Sequence, residues 1–443
     1  MSTLQQLYNS NALGVETVKR THRLAVWLLA VACMFVSPVA GAQVTISHLS
    51  QSSHGAAWAE WLKQTAEQFT RENPDIEVEI RVAPGGAAGI LQQYQVAVAG
   101  DAAPDVLDMN STAFPLMDTY FLDLHPYLKR DGIIDTIFPV LMRMASNNKG
   151  EIWGLPAMMQ VIPTYFNIDI LESAGLPTPY DLGANWNWDA VLDIAKRTTR
   201  DLNGDGKTDQ YGTDRMYMRW YEQVAQAGGM HYDKWVFPSK AQFNQAPVMK
   251  AFDYISTFFT MGYEFPYRAA GHQQQYFWFG KSALTFADGP GALGPTQLGA
   301  ASFKFDIAPQ PQGPVNNAAV CYPASYLQID RNTKHPDAAY KWISYLVTNQ
   351  TAMTNMVKLT RNIPTSRKGV AIYGQAGGSS LPKHWAVFFD HASSPYAVGT
   401  FAHRNTQVTT IQSKYLDELW RGNASVQTTV ELLDQHLNAI LNQ

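Results

Sequence analysis

Between residues 44 and 109 the hydrophobic period switches repeatedly between that of a strand and that of a helix, and this alternation constrains the fold more than any other feature. Val44–Leu49 reads as a strand, Ala56–Glu72 as an amphipathic helix, and Ile76–Val82, with its Val-Glu-Ile-Arg-Val alternation, as a second strand. A helix from about Ala88 to Ala99 follows, then the strand Asp105–Met109 after the punctuation of Pro104. Alternating β and α segments predict parallel sheets flanked by helices, with ligands received beyond the carboxyl ends of the strands. No internal repeat, heptad run or long low-complexity linker interrupts the chain. The Gly/Pro-rich zone from Gly289 to Pro314 is the clearest shift in composition and reads as loops leading into a crossing between lobes.

Upstream of this pattern, residues 24–42 are apolar, led by Lys19, Arg20 and Arg23 and ended by Ala40-Gly41-Ala42 before Gln43. That is the form of an export signal with its cleavage site, so the mature chain is expected to start at Gln43 and to work in the periplasm or elsewhere outside the cytoplasm. Ala30 stands where a lipoprotein signal prefers Leu, which argues against lipid attachment at Cys33. Removing residues 1–42 takes away Lys19, Arg20, Arg23 and Glu16, and the net charge moves from −4 to −6. This acidic balance argues against nucleic acid or an anionic membrane as the main partner. Cys321 is then the only cysteine, so the exported fold must rest on its core rather than on a disulfide. A mature chain of this length exceeds what one core supports, and two lobes are expected. Aromatic residues make up 12% of a chain in which only 16% is charged, which suggests that some rings line a ligand surface.

Several segments carry a resemblance. Gly150-Glu-Ile-Trp-Gly-Leu-Pro156 continues to Tyr165-Phe-Asn167, Leu171-Glu-Ser-Ala-Gly-Leu-Pro177 and Trp188-Asp-Ala-Val-Leu-Asp-Ile-Ala-Lys196. With Phe69-Thr-Arg-Glu-Asn-Pro74, Gly100-Asp-Ala-Ala-Pro-Asp-Val106, Phe279-Gly-Lys-Ser-Ala-Leu284 and His335-Pro-Asp-Ala-Ala-Tyr-Lys-Trp342, this order resembles the family 1 extracellular solute-binding proteins, the carbohydrate receptors of ABC importers. The resemblance implies a two-lobed α/β periplasmic-binding-protein fold of type II, its lobes joined by crossing hinge segments. Lobe one would comprise 44–156 plus 312–361 and lobe two 157–311 plus 362–443. The crossings would lie near Leu155–Gln160, Ile307–Gln312 and Arg361–Thr365. It further implies a monomer that captures a carbohydrate between its lobes and delivers it to the permease subunits of a transporter, with no cofactor required.

Matching the family layout places candidate solute contacts at strand ends. The polar loop after the first strand offers Ser50, Gln51 and His54. The segment after the Pro-Asp strand offers Asp108, Asn110 and Ser111. Gln160, on the first crossing, stands where maltose receptors of the family use a carboxylate, and an amide can hold a hydroxyl without presenting a charge. In Asp288-Gly289-Pro290-Gly291 the family's usual tryptophan is replaced by Gly291. Sugar sites combine flat aromatic faces with a few placed polar groups, so Trp153, Tyr217, Trp220 and Trp278 are candidate platforms, with ordinary core packing as the alternative for each. Asp108 and Asp288 have the alternative of capping or turn carboxylates. Arg219, Arg268 and Arg361 are available to a phosphorylated ligand, but the sequence does not place them in the cleft.

Asp201-Leu-Asn-Gly-Asp-Gly-Lys-Thr-Asp209 is a separate constellation. Asp201, Asn203, Asp205, Lys207 and Asp209 occupy alternate loop positions, with Gly206 at position six, as in an EF-hand calcium loop. The bidentate Glu expected at position twelve is absent and Gly212 stands there. A structural calcium and a plain Asn-Gly/Asp-Gly turn are both open. Catalysis has little support, because no Gly-x-Ser-x-Gly elbow, His-Glu-x-x-His or metal-type Cys/His spacing occurs, and Pro84-Gly-Gly-Ala-Ala-Gly89 lacks the Lys-Ser/Thr of a phosphate-binding loop. The expectation is therefore a receptor and not an enzyme. The alternatives are the same receptor for a polyol, glycerol phosphodiester or other non-sugar solute, and a secreted glycan-acting enzyme.

Overall fold

The computed structural model describes residues 43–110, 117, 119–147, 149–267 and 275–441. The expected export signal lies outside these residues, as do Ser111 and Arg268. The principal elements, in chain order, are β1 (Val44–Gln51), α1 (Ala56–Glu72), β2 (Ile76–Ala83), α2 (Gly86–Ala99), β3 (Val106–Met109), β4 (Leu155–Val161) and β5 (Thr164–Asn167). There follow α3 (Trp188–Thr198), β6 (Tyr211–Asp214), α4 (Trp220–Gln226), α5 (Ala246–Thr260), β7 (Ser282–Thr285), β8 (Phe305–Ala308) and β9 (Cys321–Ile329). The chain ends with α6 (Pro336–Thr348), α7 (Gln350–Thr360), β10 (Ile363–Pro364), α8 (Gly369–Gly377), α9 (Val387–Ser393), α10 (Gln407–Trp420) and α11 (Val426–Leu441). The first five elements fall where the hydrophobic period placed them. Among the described residues no helix is long and apolar enough to cross a membrane.

α1 shows why the period was readable. Trp58, Trp61, Leu62, Thr65, Ala66 and Phe69, at steps of three and four, are its buried positions. They seat it on the first sheet's helical layer, where Trp61 Nε1 donates to the Ala352 carbonyl at 2.8 Å. In the second half, the Asn187 side chain caps α3 by accepting from the Ala190 amide at 3.0 Å. β6 then lies directly on that helix, because a Cβ on Gly212 would stand 2.3 Å from Ala195 Cα.

Two sheets result. The first has the order β10-β4-β9-β3-β1-β2 and the second β6-β7-β5-β8. The parallel expectation holds for β1 with β2 and β3, and for β6 with β7. β9 pairs antiparallel with both β3 and β4. The reason is connectivity: β4 leaves the first sheet and β9 returns to it from the second, so neither is delivered by a helical crossover within one sheet.

The lobe boundaries differ from the expectation. Gln312 still exchanges backbone hydrogen bonds with Trp186 and Trp188 of the second lobe, so the return to the first sheet comes near Cys321. The third crossing is also later. β10 pairs with β4 at the edge of the first sheet, and Ile372, Tyr373, Val387, Phe388 and Phe389 of α8 and α9 join the first core. Only α10 and α11 join the second, through Val408, Leu416, Leu419, Trp420, Val430, Leu433 and Leu437. Residues 362–443 are thus divided between the lobes, because α8 and α9 carry apolar faces that either core could bury and sequence order does not choose between them.

Candidate solute site between the lobes

Where the three crossings meet, Ile162, Ala318, Val320 and Val398 form a small buried cluster of their own. Ile162 N donates to Val320 O at 2.9 Å, Val398 N to Ala319 O at 3.0 Å and Cys321 N to Val398 O at 2.7 Å. α4 fastens the second crossing to its lobe. Gln226 Nε2 donates to Ala318 O at 2.9 Å, and Glu222 Oε2 accepts from Val320 N at 2.8 Å. Burial pushes the Glu222 carboxyl well above the usual range, with Val320 N–H and Arg219 opposing only in part. In its neutral form the group keeps the bond to Val320 without burying a charge.

Beside this cluster, Gln160 near the end of β4 and Tyr322 near the start of β9 are register partners, so their side chains leave the same face. Both are half-buried. The Gln160 amide lies against the Gly289–Gly291 turn of the second lobe. A Cβ on Gly289 would stand 2.1 Å from Gln160 Oε1, and one on Gly291 would stand 3.5 Å from Gln160 Nε2 and 3.8 Å from Asn362 Oδ1. Gly289 is therefore what lets the amide lie against this turn, and at Gly291, which replaces the expected tryptophan, a Cβ would meet the amide and Asn362 only at ordinary contact distance. Tyr322 in turn faces Arg219, whose Cζ is 5.7 Å from the ring centre and whose Nη2 is 3.5 Å from the hydroxyl. Polar groups of both lobes thus converge at the crossings, and an amide, a phenol and a guanidinium together can donate to and accept from a polyhydroxylated solute.

The predicted contacts of the first lobe are brought together, but mostly onto one another. Asp108 is fully buried. His54 Nε2 lies 3.0 Å from its Oδ1, and the Ser325 hydroxyl donates to the same oxygen. The Ser50 hydroxyl donates to Oδ2 at 2.8 Å and Trp58 Nε1 at 2.6 Å. Burial alone would raise the Asp108 pKa, but the charge and hydrogen bond of His54, with the other donors, bring it down to about 2. Ser50 and Asp108 are therefore corrected from solute contacts to supports of the loop that follows β1. Gln51 is buried with its Nε2 3.0 Å from His54 Nε2. Asn110 is half-buried just beyond β3.

The second lobe repeats this with charge. Asp288 meets Arg215 Nη2 at 2.5 Å and Trp278 Nε1 at 2.9 Å, and Arg215 also pairs with Asp214 at 3.2 Å. Arg215 sits in the left-handed region, φ 60°, which turns its backbone N–H onto the Glu264 carboxylate. Burial pushes Asp214 up to about 6 against the pull of Arg215. Burial and the neighbouring Asp214 push Glu264 up to about 8. Asp288 is thus an ion-pair partner and not a free acceptor.

Three predicted platforms are corrected to packing. Trp278 is 1% exposed and stands edge-on to Tyr165 and Phe305 at 5.6 and 5.2 Å. Trp220 packs among His231, Phe243 and Phe252 at 4.5, 5.7 and 5.4 Å. Trp153 is buried against Phe237 at 5.3 Å. Tyr217 is half-buried and faces Tyr267 and Phe259 at 4.8 and 5.9 Å. A tryptophan amid apolar residues reads the same in sequence whether it fills a core or floors a site. Tyr322 and Asn362 were missed altogether. Tyr322 lies beyond the expected second crossing, because the chain returns to the first sheet only near Cys321, and Asn362, though inside the segment expected as the third crossing, carries no local signal that it faces Gln160.

The Asp201–Asp209 loop is exposed and its oxygens are engaged with its own backbone. Asp201 Oδ1 accepts from Gly204 N at 2.7 Å and its Oδ2 from Gly206 N at 2.8 Å, and these bonds hold its carboxyl below the usual range. Asn203 Oδ1 accepts from Asp205 N, Asp205 Oδ1 from Lys207 N, both at 2.8 Å, and Asp209 Oδ2 from Leu202 N at 2.9 Å. Among the described residues no group of three or more His, Cys, Asp or Glu is gathered to hold a metal ion. These bonds are those of a tight turn, and the two readings of the loop, a turn and a structural calcium site, are separated by calcium titration.

Two α/β lobes linked by three crossings, with opposed polar groups at the crossings, define a hinged solute-binding protein. The family described as bacterial extracellular solute-binding protein matches residues 51–353, and the chain belongs to it. Solved structures agree on the fold. The ABC substrate-binding protein Lmo0181 from Listeria monocytogenes, in complex with cycloalternan, is 18% identical with a TM-score of 0.73, over 90% of this chain and 98% of that one. The sugar-binding protein MalE from Xanthomonas citri is 19% identical with a TM-score of 0.72, over 90% and 97%. UgpB from Mycobacterium tuberculosis, in complex with glycerophosphocholine, is 19% identical with a TM-score of 0.72, over 90% and 98%.

Proposed function

We propose that this chain is an exported receptor that captures a carbohydrate or closely related polyhydroxylated solute between its lobes and presents it to the membrane permease of an ABC importer. The observation that carries this reading is the meeting of Gln160 and Tyr322 with Gly289–Gly291 and Arg219 across the crossings. A solute held there touches both lobes only when they are closed, so binding draws the population toward the closed form. The relatives bound to cycloalternan and glycerophosphocholine support a polyhydroxylated solute of either kind. The reading is non-enzymatic, in keeping with the solute-binding family to which the chain belongs.

A thermal-shift screen of mono- and oligosaccharides, uronates, polyols and glycerophosphodiesters tests the reading, since a ligand of the native state raises its apparent stability. The hit should reduce the radius of gyration of the 43–443 protein in small-angle scattering. Gln160→Ala should weaken its binding by about 1–3 kcal/mol, the cost of leaving a buried polar group unpaired. A hit that binds Gln160→Ala as tightly as wild type would move the site away from the crossings.

A further inference from the structure

Among the described residues, Arg219 is a cation of the site that the protein leaves without a paired carboxylate. It closes the short 3-10 turn Met216–Arg219 that leads into α4. Its Nε is buried with no hydrogen-bond partner, and its polar neighbours are the hydroxyls of Tyr221 and Tyr322. Among the described residues no carboxylate oxygen lies within 4.0 Å of its guanidinium. Arg215, four residues earlier, shows what the same lobe does with a structural guanidinium, which it pairs with both Asp214 and Asp288. The acid beside Arg219, Glu222, acts on it only through space; its Oε2 accepts from the Val320 amide and its Oε1 has no hydrogen-bond partner.

A guanidinium cannot shed its proton when water is removed, so lobe closure over an unpaired Arg219 would be costly. Its planar fork matches the two oxygens of a carboxylate or phosphate. Tyr322, the residue it faces, is the register partner of Gln160.

We propose that the solute carries an anionic oxygen group, carboxylate or phosphate, beside its hydroxyls, and that Arg219 binds this group from the second lobe while Gln160 and Tyr322 hold hydroxyls from the first. The proposal rests on the interlobe site of the proposed function and names the chemistry of its ligand. Binding the anion removes the cost of closing over Arg219, so the anion itself favours the closed form.

Calorimetry with matched pairs tests it: galacturonate against galactose, digalacturonate against digalactose, and glycerol 3-phosphate against glycerol. At least one acidic probe should bind about tenfold or more tighter than its neutral partner, and which acid wins tells carboxylate from phosphate. Arg219→Gln should erase that advantage by weakening the acidic probe far more than its neutral partner, and Arg219→Lys should keep part of it. In wild type the advantage should shrink as salt is raised, a reading that does not depend on any variant folding. A neutral sugar bound as tightly as its acidic partner, in wild type and Arg219→Gln alike, overturns the anion and leaves the receptor reading standing. Silence from every probe, acidic and neutral, overturns the solute class and the anion with it.

Discussion

Asp108 in the first lobe and Asp288 in the second both lie at the ends of strand segments that approach the crossings, both are buried, and both take an indole N–H. Their surroundings differ. Asp108 is satisfied by two hydroxyls, an indole and a histidine, whereas Asp288 shares one guanidinium with Asp214, next to Glu264. The first arrangement holds its carboxylate ionised with the charge and hydrogen bond of His54 and three neutral donors. The second places three acids around one cation, and burial keeps two of them partly or wholly protonated near neutral pH. A buried carboxylate can thus be stabilised mainly by a cluster of donors or by a shared guanidinium, and the two solutions should respond unequally to mutation and oppositely to pH.

The largest expected effect breaks the charged arrangement. Arg215→Met leaves Asp214 and Asp288 buried without their cation and should cost about 3–5 kcal/mol in urea unfolding. A loss under about 1 kcal/mol would mean that the acids simply protonate and the two regions are not different in kind. Next, Asp108→Asn keeps the shape but turns an amide donor toward groups that themselves donate, and should cost about 1–3 kcal/mol at neutral pH. Its pH dependence sharpens the contrast. The Asp108 pKa falls from 3.8 to about 2 on folding, so its contribution is present above pH 4 and is lost as pH falls through about 2. Asp108→Asn should lack that acid limb.

The second lobe has the opposite sign. Glu264 rises from 4.5 to about 8 on folding, so the native state binds the extra proton, and this contribution is full below pH 4.5 and lost as pH rises through about 8. Wild type should lose stability from about pH 5 to pH 8, and Glu264→Gln should flatten that slope. An unchanged slope in the variant would assign the titration elsewhere. The smallest effect is expected at the Asp201–Asp209 turn. Chelator and added calcium should leave the melting temperature unchanged, and Asp205→Ala, at an exposed position, should stay within about 0.5 kcal/mol of wild type. A calcium-dependent rise in melting temperature would assign a calcium ion to the loop.

The sequence by itself determined the alternation of β1 to β3 with α1 and α2, because hydrophobic period is a local quantity that each segment carries whole. It also determined the family, through short segments kept in order, and the placing of Gln160 on a crossing. What only the tertiary structure decided was the partner of each polar or aromatic group. Asp108 meets Ser325 across more than two hundred residues, and Trp278, Trp220 and Trp153 turn into cores rather than toward a solute. Arg219, named from sequence without a place, acquires one only when β9 returns Tyr322 to its side. The physical reason is that periodicity tells a segment which face to bury, while the charge and hydrogen-bond balance of a site is a sum over groups that the chain brings together only when it folds.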